Sequence, residues 1–271
     1  MAEALTSLNN PKIKNIIRLQ QKSAERKSQN LIVVEGFREI KLAVETGFSC
    51  HSLYVFEKIA GLEHINYIRN YVKEDSIFMI TEAIFEKLAY RENSDGLIML
   101  AVPEYLTPEE VNLSPNPLIL VIESVEKPGN LGAMLRTADA AGVDAVLVCD
   151  TLTDLYNPNT IRASLGTVFS NQVVTCSNEE AFNWLKKNRI QIFSAALPSD
   201  IVCYQTDLTG SSAIVVGSEA NGLTRFWLNH ADEVIMIPMS GKVDSLNVSA
   251  SAAIIVYEAV RQRLAGSKQV K

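Results

Sequence analysis

The 271-residue chain has few of the residues on which metal and nucleophilic chemistry commonly depend. Its three histidines stand in no zinc or catalytic-triad signature, which disfavours a metalloenzyme and a histidine-centred hydrolase. The four cysteines are far apart and show no paired spacing, so we expect reduced thiols rather than disulfides or metal ligands. No metal is therefore predicted for this protein.

Long apolar runs and an overall positive charge are also missing. Charge or glycine interrupts every apolar stretch well short of the roughly twenty residues of a membrane span, and the first residues show no signal-peptide pattern. We therefore expect a cytoplasmic protein with no membrane contact. The net charge of −6 disfavours non-specific nucleic-acid binding over the whole surface. Locally, however, residues 1–30 carry six basic and two acidic side chains, which gives a basic N-terminal stripe.

A proline-rich segment at residues 103–117 divides the chain. Its four prolines stand among acidic and turn-forming residues, which is typical of a linker. The sequence thus predicts one domain at 1–102, a linker at 103–117 and a second domain at 118–271. In the first domain, strands separated by helical stretches predict a small α/β fold. These strands are predicted at Leu31–Val34, Ser52–Phe56, Ile77–Ile80 and Leu97–Val102.

The second domain alternates strands and helices, which predicts a mainly parallel sheet with helices on both faces. Its strands are predicted at Leu118–Ile122, Ala145–Cys149, Ile190–Ala195, Ala213–Val216 and Val234–Ile237. Ligands of such sheets bind at the carboxyl ends of the strands, and three polar motifs follow predicted strands here.

In the first motif, Asn130 stands at the start of a helix predicted near Gly129–Ala141, and Arg136 stands six positions further along it. Taken alone, this motif favours Asn130 as a helix cap and Arg136 as a solvated helix residue, although an inward guanidinium would need an anionic or polar partner. In the second motif, Gly217 and Gly222 would let a ligand approach the backbone of a loop that also carries Glu219. Glu219 is equally explained by a favourable interaction with the N-terminus of the following helix.

The third motif is a turn before the last helix, which carries Ser245 and Asn247. Either residue would serve as a helix cap whatever the function. The last helix itself is predicted to be anchored in a core by apolar residues at helical spacing. These residues are Val248, Ala252, Ile255, Val256 and Ala259. A P-loop and a dinucleotide-binding fingerprint are both absent, which disfavours a nucleotide-dependent metabolic enzyme.

Taken in order, the segments Asn130–Ala138, Gly217–Gly222 and Ile237–Ser249 resemble the three motifs of the SpoU, or TrmH-like, family of RNA 2′-O-ribose methyltransferases, within the knotted SPOUT class. The resemblance covers residues 118–265, and residues 1–102 are similar to the family's accessory RNA-binding domain, of L30e-like type. Lys127 is a departure, because many members carry aspartate there. It leaves the charge at the start of the first motif open.

The resemblance implies a catalytic domain with a deep trefoil knot that binds S-adenosylmethionine through backbone groups. Four residues match the positions that would hold this cofactor: Gly217, Ile237, Met239 and Leu246. Five match the positions that would line the catalytic pocket: Asn130, Arg136, Glu219, Ser245 and Asn247. Arg136 would either activate the ribose hydroxyl as a base or grip a phosphate and stabilise the developing alkoxide. We favour the second role, because a guanidinium with a pKa above about 12 is hard to deprotonate.

The same resemblance implies a structured RNA as substrate, with ribosomal RNA favoured and transfer RNA as the alternative, and it implies a homodimer. A non-catalytic RNA-binding relative is a further alternative, which the presence of all five catalytic-pocket residues disfavours. The residues expected to contact RNA are basic and belong to the first domain. They are Lys12, Lys14, Arg18, Lys22 and Arg38.

Overall fold

A computed structural model describes residues 3–90 and 94–267 and divides the chain into two compact units. Unit 1 comprises Met1–Glu104 and Tyr156–Ser170, and unit 2 comprises Tyr105–Leu155 and Asn171–Lys271. The chain passes from unit 1 to unit 2 within the predicted linker. The segment Tyr156–Ser170, which the sequence placed in the second domain, instead groups with unit 1.

Unit 1 contains a five-stranded mixed sheet with the strand order β1-β4-β3-β5-β2. Strand β5 runs antiparallel to β2 and β3, whereas β4 runs parallel to β1 and β3. The elements of this unit up to residue 104 are β1 (Glu3–Leu5), α1 (Pro11–Gln21), α2 (Ser23–Gln29), β2 (Ile32–Glu35), α3 (Phe37–Glu45), β3 (Cys50–Val55), α4 (Leu62–Arg69), β4 (Ile77–Ile80), α5 (Glu82–Leu88) and β5 (Leu97–Ala101).

The N-terminal helix α1 forms because its apolar residues repeat at helical spacing and its start is capped. Ile13, Ile16 and Leu19 are fully buried, and the Asn10 side chain accepts a hydrogen bond from the backbone N–H of Lys12 at 2.8 Å. At the other end, the buried guanidinium of Arg26 donates to the Leu19 carbonyl at 2.6 Å. Arg26 therefore closes the C-terminus of α1 and does not belong to an exposed basic stripe.

Unit 2 contains a seven-stranded, entirely parallel sheet with the strand order β10-β12-β9-β11-β6-β7-β8. Its elements, together with the two helices that join unit 1, are β6 (Leu118–Glu123), α6 (Pro128–Ala141), β7 (Ala145–Cys149), α7 (Pro158–Ala163), α8 (Thr167–Ser170), β8 (Val173–Cys176), α9 (Asn178–Lys187), β9 (Gln191–Ala195), β10 (Ile201–Val202), β11 (Ser212–Val216), α10 (Arg225–His230), β12 (Glu233–Met236) and α11 (Val248–Ser267).

These elements confirm the predicted α/β fold class, and each strand predicted for the second domain lies within one residue of its observed bounds. Strands β6 and β11 are buried along their whole length, as expected for central parallel strands covered on both faces. The edge strands β8 and β10 were missed. Strand β10 has only two residues, and only the first two residues of β8, Val173 and Val174, are buried, so neither gives a clear apolar pattern. The strand order is compatible with a knotted backbone, and the knot itself stays a prediction.

The last helix confirms the predicted core stripe. Ala252, Ile255, Val256 and Ala259 are fully buried, and α11 packs against α6 and β11. Because β6, β11 and β12 run parallel, their carboxyl ends meet at one edge of the sheet. The three polar motifs follow these three strands, so the fold collects them at that edge.

For residues 3–90 and 94–267, the structure can be searched for membrane-spanning helices and for groups of metal ligands. None of the helices in these ranges has the length and apolar character needed to cross a bilayer. Within the same ranges, no three His, Cys, Asp or Glu side chains gather in a way that could hold a metal ion. All four cysteines are free thiols, and Cys149 and Cys203 are fully buried.

Candidate active site

A cavity of about 580 Å³ opens at the carboxyl ends of β9, β11 and β12 in unit 2. This volume lies in the range of small-molecule sites, about 300–1,000 Å³. Most of the cofactor and catalytic-pocket residues predicted from the sequence line this cavity. They are Gly217, Glu219, Ile237, Met239, Ser245, Leu246 and Asn247.

One wall of the cavity is a tight loop that follows β11. The N–H and C=O groups of Ser218 and Gly222 form two hydrogen bonds with each other, at 3.1 and 3.0 Å. Gly217 packs directly on this pair, since a Cβ atom at Gly217 would lie 2.2 Å from the carbonyl carbon of Gly222. Only glycine fits at position 217 without moving the backbone. The loop then turns through Gly222, whose φ of 66° favours glycine.

Glu219 extends from this loop into a cluster of polar side chains. The Nδ2 atom of Asn247 donates to Glu219 Oε1 at 2.5 Å and to Asn130 Oδ1 at 3.3 Å. The Lys127 ammonium forms an ion pair with Glu219 Oε2. Asn130 also borders a smaller adjoining cavity of about 240 Å³, together with Lys127 and Glu219. The structure therefore brings together Asn130, Glu219 and Asn247 as predicted.

The cluster sets the charge of the site. The Lys127 ammonium and the side chains of Asn130 and Asn247 hold the pKa of Glu219 below its ordinary value, against a smaller opposing effect of burial. The same ion pair raises the pKa of Lys127. At neutral pH the pair is therefore a carboxylate and an ammonium. An ionised Glu219 with a lowered pKa is a poor proton acceptor, and it suits the task of orienting neighbouring amide and ammonium groups.

Asn247 has a second task at the start of α11. Its Oδ1 atom accepts hydrogen bonds from Ser249 N at 3.0 Å and from Ser249 Oγ at 2.5 Å. It thus caps the last helix with its oxygen while its amide nitrogen serves the cluster. The expected cap and the expected site residue are one side chain. Asn130, by contrast, lies two residues after Pro128, the first residue of α6, and does not cap that helix.

The wall that follows β12 is apolar, and the described residues leave part of its backbone free of hydrogen bonds. Ile237, Met239 and Leu246 line it, with Ile255 from α11 behind them. Among the described residues, the backbone of residues 239–246 makes no hydrogen bond, so its N–H and C=O groups are available to a ligand. Ser245 lines the same segment and is exposed.

Arg136 is the one predicted catalytic residue that the structure keeps away from the cavities. It is exposed on α6, between the buried residues Leu135 and Ala138, and it makes no hydrogen bond or ion pair with any described residue. Asn130 and Arg136 are six residues apart on one helix, so they point in different directions. Within one chain the site is assembled without Arg136.

The predicted RNA-binding residues all belong to unit 1, where they do not form a single stripe. Lys14 and Arg18 are exposed one helical turn apart on α1, and Lys22 follows as its C-cap. Lys12 lies about 200° around the helix from Lys14, where its ammonium sits 4.5 Å from the Phe78 ring centre. Arg38 is exposed in the first turn of α3.

Sequence reasoning missed one residue of the polar cluster and one buried residue outside the cavity. Lys127 was noted only as a departure from the family pattern, yet it contacts Glu219 directly. Glu123 ends β6 as a fully buried carboxylate. Its signal was a charged residue closing the apolar run Leu118–Ile122, which predicts a buried carboxylate in need of donors.

This geometry agrees with comparisons to known proteins. Residues 117–257 match the SpoU rRNA Methylase family, and residues 10–99 match the MRM3-like substrate binding domain. The chain belongs to the SpoU rRNA methylase family. The match spans all three motifs, so the resemblance inferred from them is confirmed, and the residues 10–99 match lies within the predicted accessory domain.

Individual similar proteins show how far the similarity extends. The chain is 38% identical over 157 residues to the 23S rRNA (guanosine-2′-O-)-methyltransferase RlmB of Salmonella typhi. The aligned region covers 58% of this chain and 65% of that protein. A crystal structure of an RNA 2′-O ribose methyltransferase is 41% identical with a TM-score of 0.84, covering 96% of this chain and 99% of the other. The SpoU methyltransferase AviRb of Streptomyces viridochromogenes, in complex with AdoMet, is 25% identical with a TM-score of 0.87, covering 94% and 99%.

Proposed function

We propose that this protein transfers a methyl group from S-adenosylmethionine to a ribose 2′-hydroxyl of ribosomal RNA. The observation that carries the proposal is the junction of three sequence motifs at one cavity, where Asn247 bridges Asn130 and Glu219 across 117 and 28 residues of chain. The RlmB relative and the RNA 2′-O ribose methyltransferase structure named above support the reaction, and RlmB supports the ribosomal substrate. That substrate also supports the expected cytoplasmic location.

The cavity suits S-adenosylmethionine, whose sulfonium carries the methyl group to be transferred. The unpaired backbone groups of residues 239–246 offer donors and acceptors for its polar parts. Ile237, Met239 and Leu246 offer apolar contact, and Gly217 keeps the floor of the site free of a side chain. We infer that these four residues hold the cofactor.

The polar cluster would face the reacting ribose. Methyl transfer is an in-line displacement, so its rate depends on how well the ribose hydroxyl is positioned and how easily it loses its proton. Glu219 holds the amide of Asn247 and the ammonium of Lys127 in place. These groups, with Asn130 and Ser245, can donate hydrogen bonds to the ribose and to the neighbouring phosphate.

We propose a homodimer in which a second chain completes each site. The position of Arg136 supports the homodimer, because this residue lies outside the cavities of its own chain and makes no hydrogen bond or ion pair with the described residues. The exposed Tyr257 on α11 offers a contact surface. In such a dimer Arg136 of the partner subunit would grip the phosphate beside the target ribose and stabilise the developing alkoxide.

Arg136→Lys tests the role of the guanidinium. We expect the single-turnover rate with saturating RNA and S-adenosylmethionine to fall by about 100-fold or more, because lysine keeps the charge but loses the planar fork. The affinity for S-adenosylmethionine, measured by calorimetric titration, should stay near that of the parent protein. A nearly full single-turnover rate would rule out both a guanidinium clamp and a guanidinium base.

RNA contact by unit 1 is tested by charge reversal on α1. Lys14→Glu, Arg18→Glu and Lys22→Glu together should weaken RNA binding and reduce the slope of log affinity against log salt by about two to three. Lys12→Glu is the matched control, because Lys12 faces the Phe78 ring on another side of α1 and should change the slope less. An unchanged slope in the triple variant would remove α1 from the RNA interface.

Mapping of 2′-O-methyl marks tests the function as a whole. Ribosomal and transfer RNA are compared from cells with and without this protein, and the missing mark is restored in vitro with the purified protein and S-adenosylmethionine. We expect one ribosomal ribose to lose its mark. A lost transfer-RNA mark would move the substrate to that class, and binding of RNA without any methyl transfer would favour the non-catalytic relative.

A further inference from the structure

The fully buried Glu123 joins three elements of unit 2 through its carboxylate. Its Oε1 atom accepts hydrogen bonds from Asn178 Nδ2 and from Thr224 Oγ1, both at 2.7 Å. Its Oε2 atom accepts from the backbone N–H of Thr224 at 2.8 Å. Glu123 ends β6, Asn178 begins α9, and Thr224 is the N-cap of α10. The carboxylate is therefore the point at which these three elements meet.

The direction of these hydrogen bonds is fixed by the surroundings. The indole Nε1–H of the fully buried Trp227 donates to Asn178 Oδ1 at 2.6 Å, so the Asn178 amide cannot turn its oxygen toward Glu123. The backbone N–H of Thr224 is a donor in any arrangement. Glu123 thus faces two groups that can only donate, one at each oxygen. A carboxylate satisfies both, whereas a side-chain amide would place an N–H against one of them.

Thr224 is the far end of the loop that forms a wall of the candidate active site. The near end of this loop is held by the packing of Gly217 on Gly222 and by the Ser218–Gly222 hydrogen bonds. Between the two ends the loop presents Glu219 to the cavity. A loop held at both ends keeps its side chains in one position, which is what a site acting by orientation requires.

We propose that Glu123 is a positioning residue for methyl transfer: from outside the cavity, its hold on Thr224 orients the loop that carries Gly217 and Glu219. The inference rests on the proposed function for its catalytic consequence. The expected effect of losing this hold is a combined loss of cofactor affinity and turnover. A residue needed only for folding would lower the amount of folded protein without changing the affinity or turnover of the folded fraction.

The test exchanges the carboxylate of Glu123 and the amide of Asn178 between the two positions. Glu123→Gln should weaken S-adenosylmethionine binding and lower kcat, each by about tenfold to a hundredfold, because one buried donor loses its acceptor. Glu123→Gln combined with Asn178→Asp should restore both to within a few-fold. In the double variant, the amide introduced at position 123 can donate to the carboxylate introduced at position 178 and accept from Thr224 N. The new carboxylate still accepts from Trp227. Such a rescue measures the pair directly.

Two further measurements make the result decisive. Glu179→Gln is the matched control, since Glu179 is an exposed neighbour of Asn178 and should leave affinity and kcat unchanged. Hydrogen exchange of the backbone at residues 217–224 should be faster in Glu123→Gln and return to normal in the double variant. Hydrogen exchange decides whether Glu123 orients the loop even if the parent protein transfers no methyl group to RNA. That result would overturn the proposed function, and with it only the catalytic consequence of the inference. Parent-like exchange, affinity and kcat in Glu123→Gln would overturn the inference.

Discussion

Gly217→Ala is expected to abolish measurable S-adenosylmethionine binding, or to weaken it by at least about 100-fold. The added methyl would lie 2.2 Å from the carbonyl carbon, 2.3 Å from the carbonyl oxygen of Gly222 and 2.5 Å from Leu223 N. These are backbone atoms, so no side-chain rotation can relieve the overlap. The loop must open, and the two Ser218–Gly222 hydrogen bonds must break with it. Overpacking of this kind also destabilises a protein by about 1–3 kcal/mol.

Calorimetric titration with S-adenosylmethionine and thermal unfolding together measure this result. Gly210→Ala is the matched control. Gly210 precedes β11, as Gly217 follows it, and a Cβ at Gly210 would meet no atom within 4 Å. This variant should bind and unfold like the parent protein. Parent-like binding by Gly217→Ala would mean that the loop after β11 does not form the cofactor site.

The fold could be predicted where the chain repeats a local pattern. Apolar runs such as Leu118–Ile122 predicted the central strands, and the helical spacing of Ala252, Ile255 and Ala259 predicted the buried face of α11. Local sequence patterns do not indicate which distant segments pack together. The helix Pro158–Ala163 packs on β2 of unit 1, across more than 100 residues of chain, and its own sequence contains no sign of that partner.

The candidate site could likewise be predicted only in part. Asn130, Glu219 and Asn247 could be grouped because family motifs mark them, although they are distant in the chain. Arg136 belongs to the same motif as Asn130 but lies outside both cavities, and the motif alone does not indicate this difference. Glu123 could be noticed as a charge ending an apolar strand, but its acceptor role depends on Thr224, 101 residues away. Residue types indicate chemistry, whereas tertiary contacts decide which groups carry it out.

Asn247→Asp is expected to remove most of the methyl-transfer activity while leaving the fold intact. The substitution keeps the oxygen that accepts from Ser249 N and Oγ, so the cap of α11 survives. It replaces the amide nitrogen that lies 2.5 Å from Glu219 Oε1 with a second carboxylate oxygen. The attraction that orders the cluster becomes a repulsion, and the site loses a donor. Loss of one such donor typically costs about 10²–10³ in kcat.

Asn247→Asp should introduce a pH dependence of activity that Glu219 does not cause in the parent protein. In the parent, the pKa of Glu219 is lowered, so this carboxylate stays ionised through the neutral range and gives no activity change there. In the variant, two facing carboxylates raise the pKa of one of them, so the pair takes up a proton as the pH falls. That proton can restore a donor between residues 219 and 247. Part of the lost activity should therefore return at lower pH.

The measurement is kcat between pH 6 and 8 under saturating S-adenosylmethionine and RNA, together with thermal unfolding at both limits. Ser249→Ala separates the two tasks of Asn247, because it removes one hydrogen bond of the cap and leaves the contact with Glu219 in place. It should lower stability slightly and keep activity. If Asn247→Asp were as active as the parent at pH 8, the bridge from α11 to the loop after β11 would have no part in methyl transfer. A loss of activity that deepened on acidification would contradict the shared proton.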